Sequence, residues 1–94
     1  MTWQILIHNV KDSVGIAIQD IDMQGNVAGL IMENHALVRL QSLNQIPLAH
    51  KISLRSIQPH EPILIYGAIC GSATQAIAQG EHVHVHNMIS ERWK

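Results

Sequence analysis

Three of the seven histidines stand at alternate positions in residues 80–87, which read GEHVHVHN. Side chains two residues apart on a β-strand point to the same face. A strand here places His82, His84 and His86 on one face and the two valines on the other, as an apolar anchor. Neutral imidazoles can share a divalent metal ion, and they also act as acids and bases near neutral pH. The segment therefore predicts a metal or acid–base site, with a merely solvent-facing strand as the alternative.

Strand geometry limits how many of these imidazoles can bind one ion. Each residue of an extended strand advances about 3.3 Å, so His82 and His86 lie about 13 Å apart. At most two neighbouring histidines can bind the same ion, and the other ligands must come from elsewhere. Because the strand begins directly after a turn, we assign His82 to the scaffold. His84, His86 and Asn87, at the far end, are the predicted functional residues.

Two shorter motifs are further candidates. His50 and Lys51 follow a proline turn, and a lysine beside a histidine can bind a carboxylate or lower the pKa of the imidazole. Tyr66 and Gly67 end an apolar run, where a phenol can donate a hydrogen bond and glycine permits close backbone approach. A solvated turn and a buried tyrosine are the structural alternatives. Cys70 has apolar neighbours and is predicted to be a small core residue.

Composition excludes several classes of function. The 94 residues are long enough for one domain, predicted over residues 1–94, and 47% of them are hydrophobic. A formal charge of −1 with scattered basic residues argues against nucleic-acid binding. The sequence lacks an apolar run of about 20 residues that could span a bilayer, and its start does not resemble a signal peptide. One cysteine fits a reducing compartment, so we expect a soluble, cytoplasmic protein.

A repeated frame predicts the fold class. Two apolar residues stand six positions apart around a turn in residues 46–52, 57–63 and 77–83. A looser copy covers residues 21–27, with Gly25 as its expected turn residue. The pattern predicts a mostly β fold of short, folded-over strands, with at most one or two helical turns near residues 72–79. Trp93, in a polar tail, is expected to pack against its own domain.

Four motifs together resemble one protein family. They are DSV at 12–14, IPLAHKI at 46–52, YGAICGSAT at 66–74 and GEHVHVHN at 80–87. These resemble the SAF-type domain of altronate and galactarate dehydratases, which is also found as the small subunit of sulfolactate sulfo-lyase. Ser13, Ala49 and Cys70 stand where the family has an asparagine, a glycine and an aliphatic residue. Alanine fits the turn at position 49 only if its φ angle is negative.

The resemblance implies a β-clip fold and a much larger dehydratase catalytic subunit as partner. It also implies elimination from a hydroxy acid, either dehydration of a sugar acid such as altronate to a 2-keto-3-deoxy acid or release of sulfite from sulfolactate. A divalent metal, iron or manganese, would stabilise the enediolate. A non-catalytic carbohydrate-binding module and a homo-oligomer built through the histidine strand are the alternatives.

The motif matches also imply residue roles. The implied acid–base or donor residues are His50, Tyr66, His84 and His86. The implied substrate contacts are Lys51, Gly67 and Asn87, and the implied metal ligands are His84 and His86.

Overall fold

The computed structural model describes residues 3–90, so Trp93 lies outside the described residues. Nine short strands make up the fold: β1 Ile5–Ile7, β2 Val14–Ala17, β3 Asn26–Ile31, β4 Leu37–Gln41, β5 Lys51–Ser53, β6 Pro62–Ile65, β7 Ala68–Ala73, β8 His82–Val83 and β9 Met88–Ser90. The many β-branched residues favour this extended backbone. Residues 3–90 contain no helix, and hence none that could cross a membrane. The mostly β class is confirmed, whereas the helical turns near residues 72–79 are not formed.

The strands form two sheets. The larger has the order β4-β3-β1-β2-β5-β8, with β1 parallel to β3 and the other neighbours antiparallel. The smaller is antiparallel and has the order β6-β7-β9. Buried aliphatic side chains form two clusters, one from Ile5, Ile7, Ala17, Ile21, Val27, Ile46 and Ile52, the other from Val14, Ile57, Ile63, Ala73, Ile77 and Val83. Two copies of the repeated frame belong to each cluster, and both apolar residues of every copy are buried there.

The four copies of the frame each contain a turn of the same type. In each, the backbone N–H of the fifth residue donates to the carbonyl of the second, at 3.0–3.1 Å. The fourth residue always has a positive φ, namely 64° at Gln24, 74° at Ala49, 69° at His60 and 87° at Gly80. A positive φ at the third residue of a four-residue turn is the signature of type II, which glycine fits best. The repeat is therefore confirmed.

Two details of the repeat differ from expectation. In residues 21–27 the left-handed residue is Gln24 and not Gly25, so this copy has the same spacing as the others. Ala49 also has a positive φ, of 74°, although alanine was expected to fit only a negative one. The opening isoleucines pair with one another across the structure, Ile21 with Ile46 and Ile57 with Ile77. This pairing holds the turns in place against the local strain of a left-handed alanine or glutamine.

Asp12 attaches the β6–β7 hairpin to the larger sheet. Its side chain is buried, and its carboxylate accepts the backbone N–H groups of Tyr66 at 3.0 Å, Gly67 at 2.8 Å and Asn9 at 3.1 Å. Tyr66 and Gly67 have φ angles of 56° and 74°, as a two-residue type I′ hairpin turn requires. Ser13, also buried, accepts the N–H of Leu64 at 3.0 Å. The DSV motif at residues 12–14 therefore has a structural role.

Candidate functional site

The histidine segment is a strand for only two residues. β8 ends at Val83, and residues 84–87 form a turn in which the His84 carbonyl accepts the N–H groups of Asn87 at 3.1 Å and Met88 at 3.0 Å. Val85 is 80% exposed, so it does not anchor the segment as a second buried valine. The prediction of a continuous strand with a 13 Å span is therefore wrong. The turn instead brings the His82 and His86 rings to 5.3 Å between centroids.

Asn87 fixes the shape of this turn. Its side chain is completely buried, with Oδ1 accepting the His84 N–H at 2.9 Å. Its Nδ2 donates to the His82 carbonyl at 2.8 Å and to a Glu81 carboxylate oxygen at 3.3 Å. An asparagine side chain can satisfy a turn in this way because it carries both an acceptor and two donors. Asn87 was expected to contact substrate, but the structure uses its polar atoms to position the two histidines.

A second strand brings His50 to the histidine turn. β5 pairs with β8 so that Lys51 lies opposite Val83, and the same register places His50 next to His84. Nδ1 of His50 lies 2.8 Å from Nε2 of His82, so one of these nitrogens donates a hydrogen bond to the other. The His50 and His84 rings stack with centroids 4.2 Å apart. We call His50, His82 and His84 the imidazole group.

The imidazole group has the spacing of metal ligands. One ring nitrogen from each residue lies within 4.8 Å of the other two. Of the two predicted ligands, His84 belongs to the group and His86 does not. His82, which was assigned to the scaffold, is a member. His86 lies beside the group with its ring exposed to solvent.

Burial and neighbouring charge lower the pKa values of two of these imidazoles, His82 and His84. The pKa of His82 is lowered first by burial and then by the positive charges of His50, His86 and His84. The pKa of His84 is lowered by burial and by the charges of His50, Lys51 and His86. A neutral imidazole has a free lone pair, which is the form that binds metals or accepts protons. Near pH 7 His82 and His84 are therefore ready for either role.

The donor set indicates which metal fits. Metal–imidazole bonds of about 2.0–2.1 Å require the ligand nitrogens to lie within about 4.2 Å of one another, and those of the group lie within 4.8 Å. Imidazoles suit iron, zinc, copper and nickel, whereas manganese prefers oxygen ligands. Within residues 3–90, the group of neighbouring donors includes no carboxylate. The imidazole group thus fits iron better than manganese, and three ligands leave coordination positions open.

The Tyr66 motif makes no ring contact with the imidazole group within residues 3–90. The Tyr66 side chain is 62% exposed and its ring packs edge-on against His8, with centroids 4.9 Å apart. The Gly67 N–H is already bonded to Asp12. Cys70 packs against the second apolar cluster and burial raises the pKa of its thiol, in agreement with a core residue.

The surroundings of the imidazole group are open. His82 and His84 are only partly buried, and the cleft of about 640 Å³ beside β3 and β4 contains none of the group. Enzyme sites normally enclose most of a small substrate. The fold and site therefore define a small β domain that presents neutral imidazoles on an open surface.

Comparison with known proteins identifies the family. Residues 3–91 match the family model described as the altronate/galactarate dehydratase SAF domain. The chain belongs to this family, as the four motifs predict.

Three relatives show the range of the family. The chain is 30% identical to (2R)-sulfolactate sulfo-lyase subunit alpha of Chromohalobacter salexigens, over 99% of this chain and 100% of that protein. It is 38% identical to altronate dehydratase of Bacillus subtilis, over 88% of this chain but only 15% of that protein. It is 27% identical to the sulfo-lyase subunit alpha of Paracoccus pantotrophus, over 68% of this chain and 96% of that protein.

Proposed function

We propose that the chain is the small subunit of a lyase and contributes its imidazole group to an active site shared with a larger catalytic subunit. The observation that carries this proposal is the imidazole group itself, which brings three metal-binding side chains together on a partly exposed surface, with the pKa values of His82 and His84 lowered. A second chain would enclose the substrate. The names of the relatives, a dehydratase and a lyase subunit, support the same class of reaction.

The main candidate reaction is dehydration of a sugar acid such as altronate. A base removes the proton from the carbon next to the carboxylate, hydroxide leaves from the next carbon, and the enol product becomes a 2-keto-3-deoxy acid. The match to altronate dehydratase, at 38% identity over 84 residues, supports this carbon–oxygen bond cleavage. Such a reaction needs a base, an acid for the leaving group and positive charge near the carboxylate.

The described residues can supply these functions. His50, His82 and His84 would hold a divalent metal ion, and of iron and manganese the imidazole donors favour iron. When bound, such an ion supplies a Lewis acid's positive charge. His86 is exposed beside the group, so we assign it the proton transfer to or from the substrate. The Lys51 ammonium, whose charge acts on His84, would bind the substrate carboxylate. Tyr66, whose ring packs on His8, and Gly67, whose N–H is bonded to Asp12, are not given a role in this assignment.

Release of sulfite from sulfolactate is the second candidate. One observation favours it: the chain spans the full length of the Chromohalobacter sulfo-lyase subunit alpha, but matches 15% of the altronate dehydratase. Here the bond that breaks is carbon–sulfur, sulfite leaves in place of hydroxide, and the enol product becomes pyruvate. We place either enzyme in the cytoplasm, because the free Cys70 fits a reducing compartment.

A substrate panel tests the proposal. The chain would be co-purified with the proposed larger subunit and incubated with altronate, galactarate and sulfolactate, with keto acid and sulfite measured separately. We expect keto acid from one class of substrate, and sulfite only if the second candidate is right. No keto acid from any of the three acids would contradict the proposal.

Variants then test the assigned residues in the same complex. His86→Gln should lower kcat by about 100-fold or more, the usual contribution of a general acid or base, while metal content stays unchanged. His82→Gln should lower metal content as well as turnover. His35→Gln, in the loop between β3 and β4, is the matched control and should behave as wild type. Full turnover in both site variants would show that the histidines are structural.

A further inference from the structure

Within residues 3–90, no strand pairs with the outer edge of β4. We infer that an extended segment of the larger subunit adds to this edge as a seventh strand of the six-stranded sheet. The inference rests on the proposed function, since it takes the larger subunit as the occupant. It concerns a surface formed by β4, and not the imidazole group.

The register of β3 and β4 shows which backbone groups are free. The Ile31 N–H donates to the Ala36 carbonyl and the Ser42 N–H to the Gly25 carbonyl, so the even-numbered residues of this stretch bond to β3. Antiparallel pairing alternates, and the odd-numbered residues therefore direct their N–H and C=O groups away from β3. Outside the β3–β4 ladder, no hydrogen bond within residues 3–90 engages the backbone of Leu37 or Arg39. These groups are a template for another strand.

The other sheet edges are covered or short. The outer edge of β6 is bonded to Ser13, whose N–H donates to the Leu64 carbonyl at 2.9 Å and whose Oγ accepts the Leu64 N–H at 3.0 Å. β8 has two residues, and Asn44 accepts the His82 N–H at 2.8 Å. β9 has three residues. β4 has five residues, and its outer side is open over residues 37–39, because Gly80 packs against the outward carbonyl of Gln41.

A cleft of about 280 Å³ adjoins this edge. Its apolar walls include Ile31, Val38, Leu40 and Leu54, and it is also lined by Asp12, Arg39, Arg55 and Gln79. Val38 and Leu40 are half-buried and alternate with the exposed residues of β4. A strand added to β4 would place its alternate side chains next to Val38 and Leu40. The added strand should therefore carry apolar residues at the positions next to Val38 and Leu40.

Charge decides against a second copy of this chain as the occupant. Residues 3–90 place no carboxylate within salt-bridge distance of Arg39. If two copies of β4 paired antiparallel through two or more hydrogen-bonded residue pairs, the two Arg39 residues would lie opposite or diagonal to each other. Like charges in such cross-strand positions are destabilising. A segment with an acidic residue opposite Arg39 is favoured. The expected occupant therefore reads apolar–acidic–apolar in extended conformation.

Variants at the edge separate this inference from the proposed function. Leu37→Pro removes an outward N–H at the first residue of β4, where proline leaves the bonds to β3 intact. Leu37→Thr keeps the N–H and is its matched control. Arg39→Glu reverses the charge, with Arg39→Gln as its control. Each purified variant is titrated with the larger subunit by calorimetry, after a thermal melt of the chain alone confirms folding.

We expect Leu37→Pro and Arg39→Glu to raise the Kd for the larger subunit by about tenfold or more, the equivalent of one lost hydrogen bond, and Leu37→Thr to stay close to wild type. Amide hydrogen exchange at Leu37 and Arg39 should also slow by about tenfold in the wild-type complex, since bonded edge amides become protected. A tight wild-type complex with unchanged Kd and unprotected amides would overturn this inference alone. Failure of wild type to bind would overturn the proposed function with it. A concentration-dependent dimer that Leu37→Pro abolishes would show a second copy as occupant, and overturn the inference.

Discussion

Replacing Asn87 by alanine should destabilise the chain and loosen the imidazole group together. The Asn87 side chain is completely buried and holds the His84 N–H at 2.9 Å and the His82 carbonyl at 2.8 Å. Asn87→Ala leaves both backbone groups without their partner. A buried polar group left unsatisfied costs about 1–3 kcal/mol, and these two lie partly exposed, so we expect a loss of about 2–4 kcal/mol.

Urea unfolding at pH 7.5, followed by circular dichroism, measures this loss. The midpoint should fall while the slope with denaturant stays the same, because the surface exposed on unfolding is unchanged. Asn34→Ala is the matched control: its Oδ1 also accepts a backbone N–H, that of Ala36, but at an exposed turn. That variant should lose less than about 1 kcal/mol.

The same variant tests the positioning role of Asn87. Its metal affinity, measured in folded protein well below the unfolding midpoint, should fall by about 10–100-fold, as when a residue that orients metal ligands is removed. A variant within about 0.5 kcal/mol of wild type would refute the reasoning, because it would show that the turn forms without the asparagine.

Three further predictions concern the turns and the charge of the site. Ala49→Gly should stabilise the fold by about 0.5–1 kcal/mol in urea unfolding, since glycine relieves a φ of 74°, whereas Ala76→Gly, without a positive φ, should destabilise it. Gly80→Ala should cost about 2–4 kcal/mol and lower the melting temperature, because its Cβ would lie 2.1 Å from the Gln41 carbonyl oxygen. Since the pKa values of His82 and His84 are lowered in the fold, the unfolded chain binds more protons below about pH 6.5. The free energy of unfolding should therefore fall as the pH drops from 7.5 to 5. A free energy of unfolding that does not change over this pH range would contradict the lowered pKa values of His82 and His84.

Much of the fold follows from the isoleucine spacing. The frame of two apolar residues around a turn predicts both the short strands and the buried positions, because each turn needs an apolar residue on either side to hold it on the core. The exact turn residue is less predictable. Gly25 has the most permissive backbone in its copy, yet Gln24 takes the left-handed conformation because strand pairing fixes the spacing of the turn. Tertiary pairing outweighed local preference there.

The site was harder to predict than the fold. Alternation of histidine and valine favours a strand, but the buried Asn87 ends it after Val83 by bonding the backbone of the turn. Asparagine's tendency to form such turns was the one local signal for this outcome. The approach of His50 to His82 depends on the register of β5 and β8, which are 30 residues apart and whose pairing no local pattern specifies.

Anaerobic titration of the chain with Fe²⁺ tests the central claim most directly. Wild type and His86→Gln should each bind one ion per chain, because the imidazole group is intact in both. His82→Gln should bind at least about 100-fold more weakly, since a ligand is lost. Equal affinity in His82→Gln and wild type, or an equal loss in His86→Gln, would contradict the assignment of the metal to His50, His82 and His84.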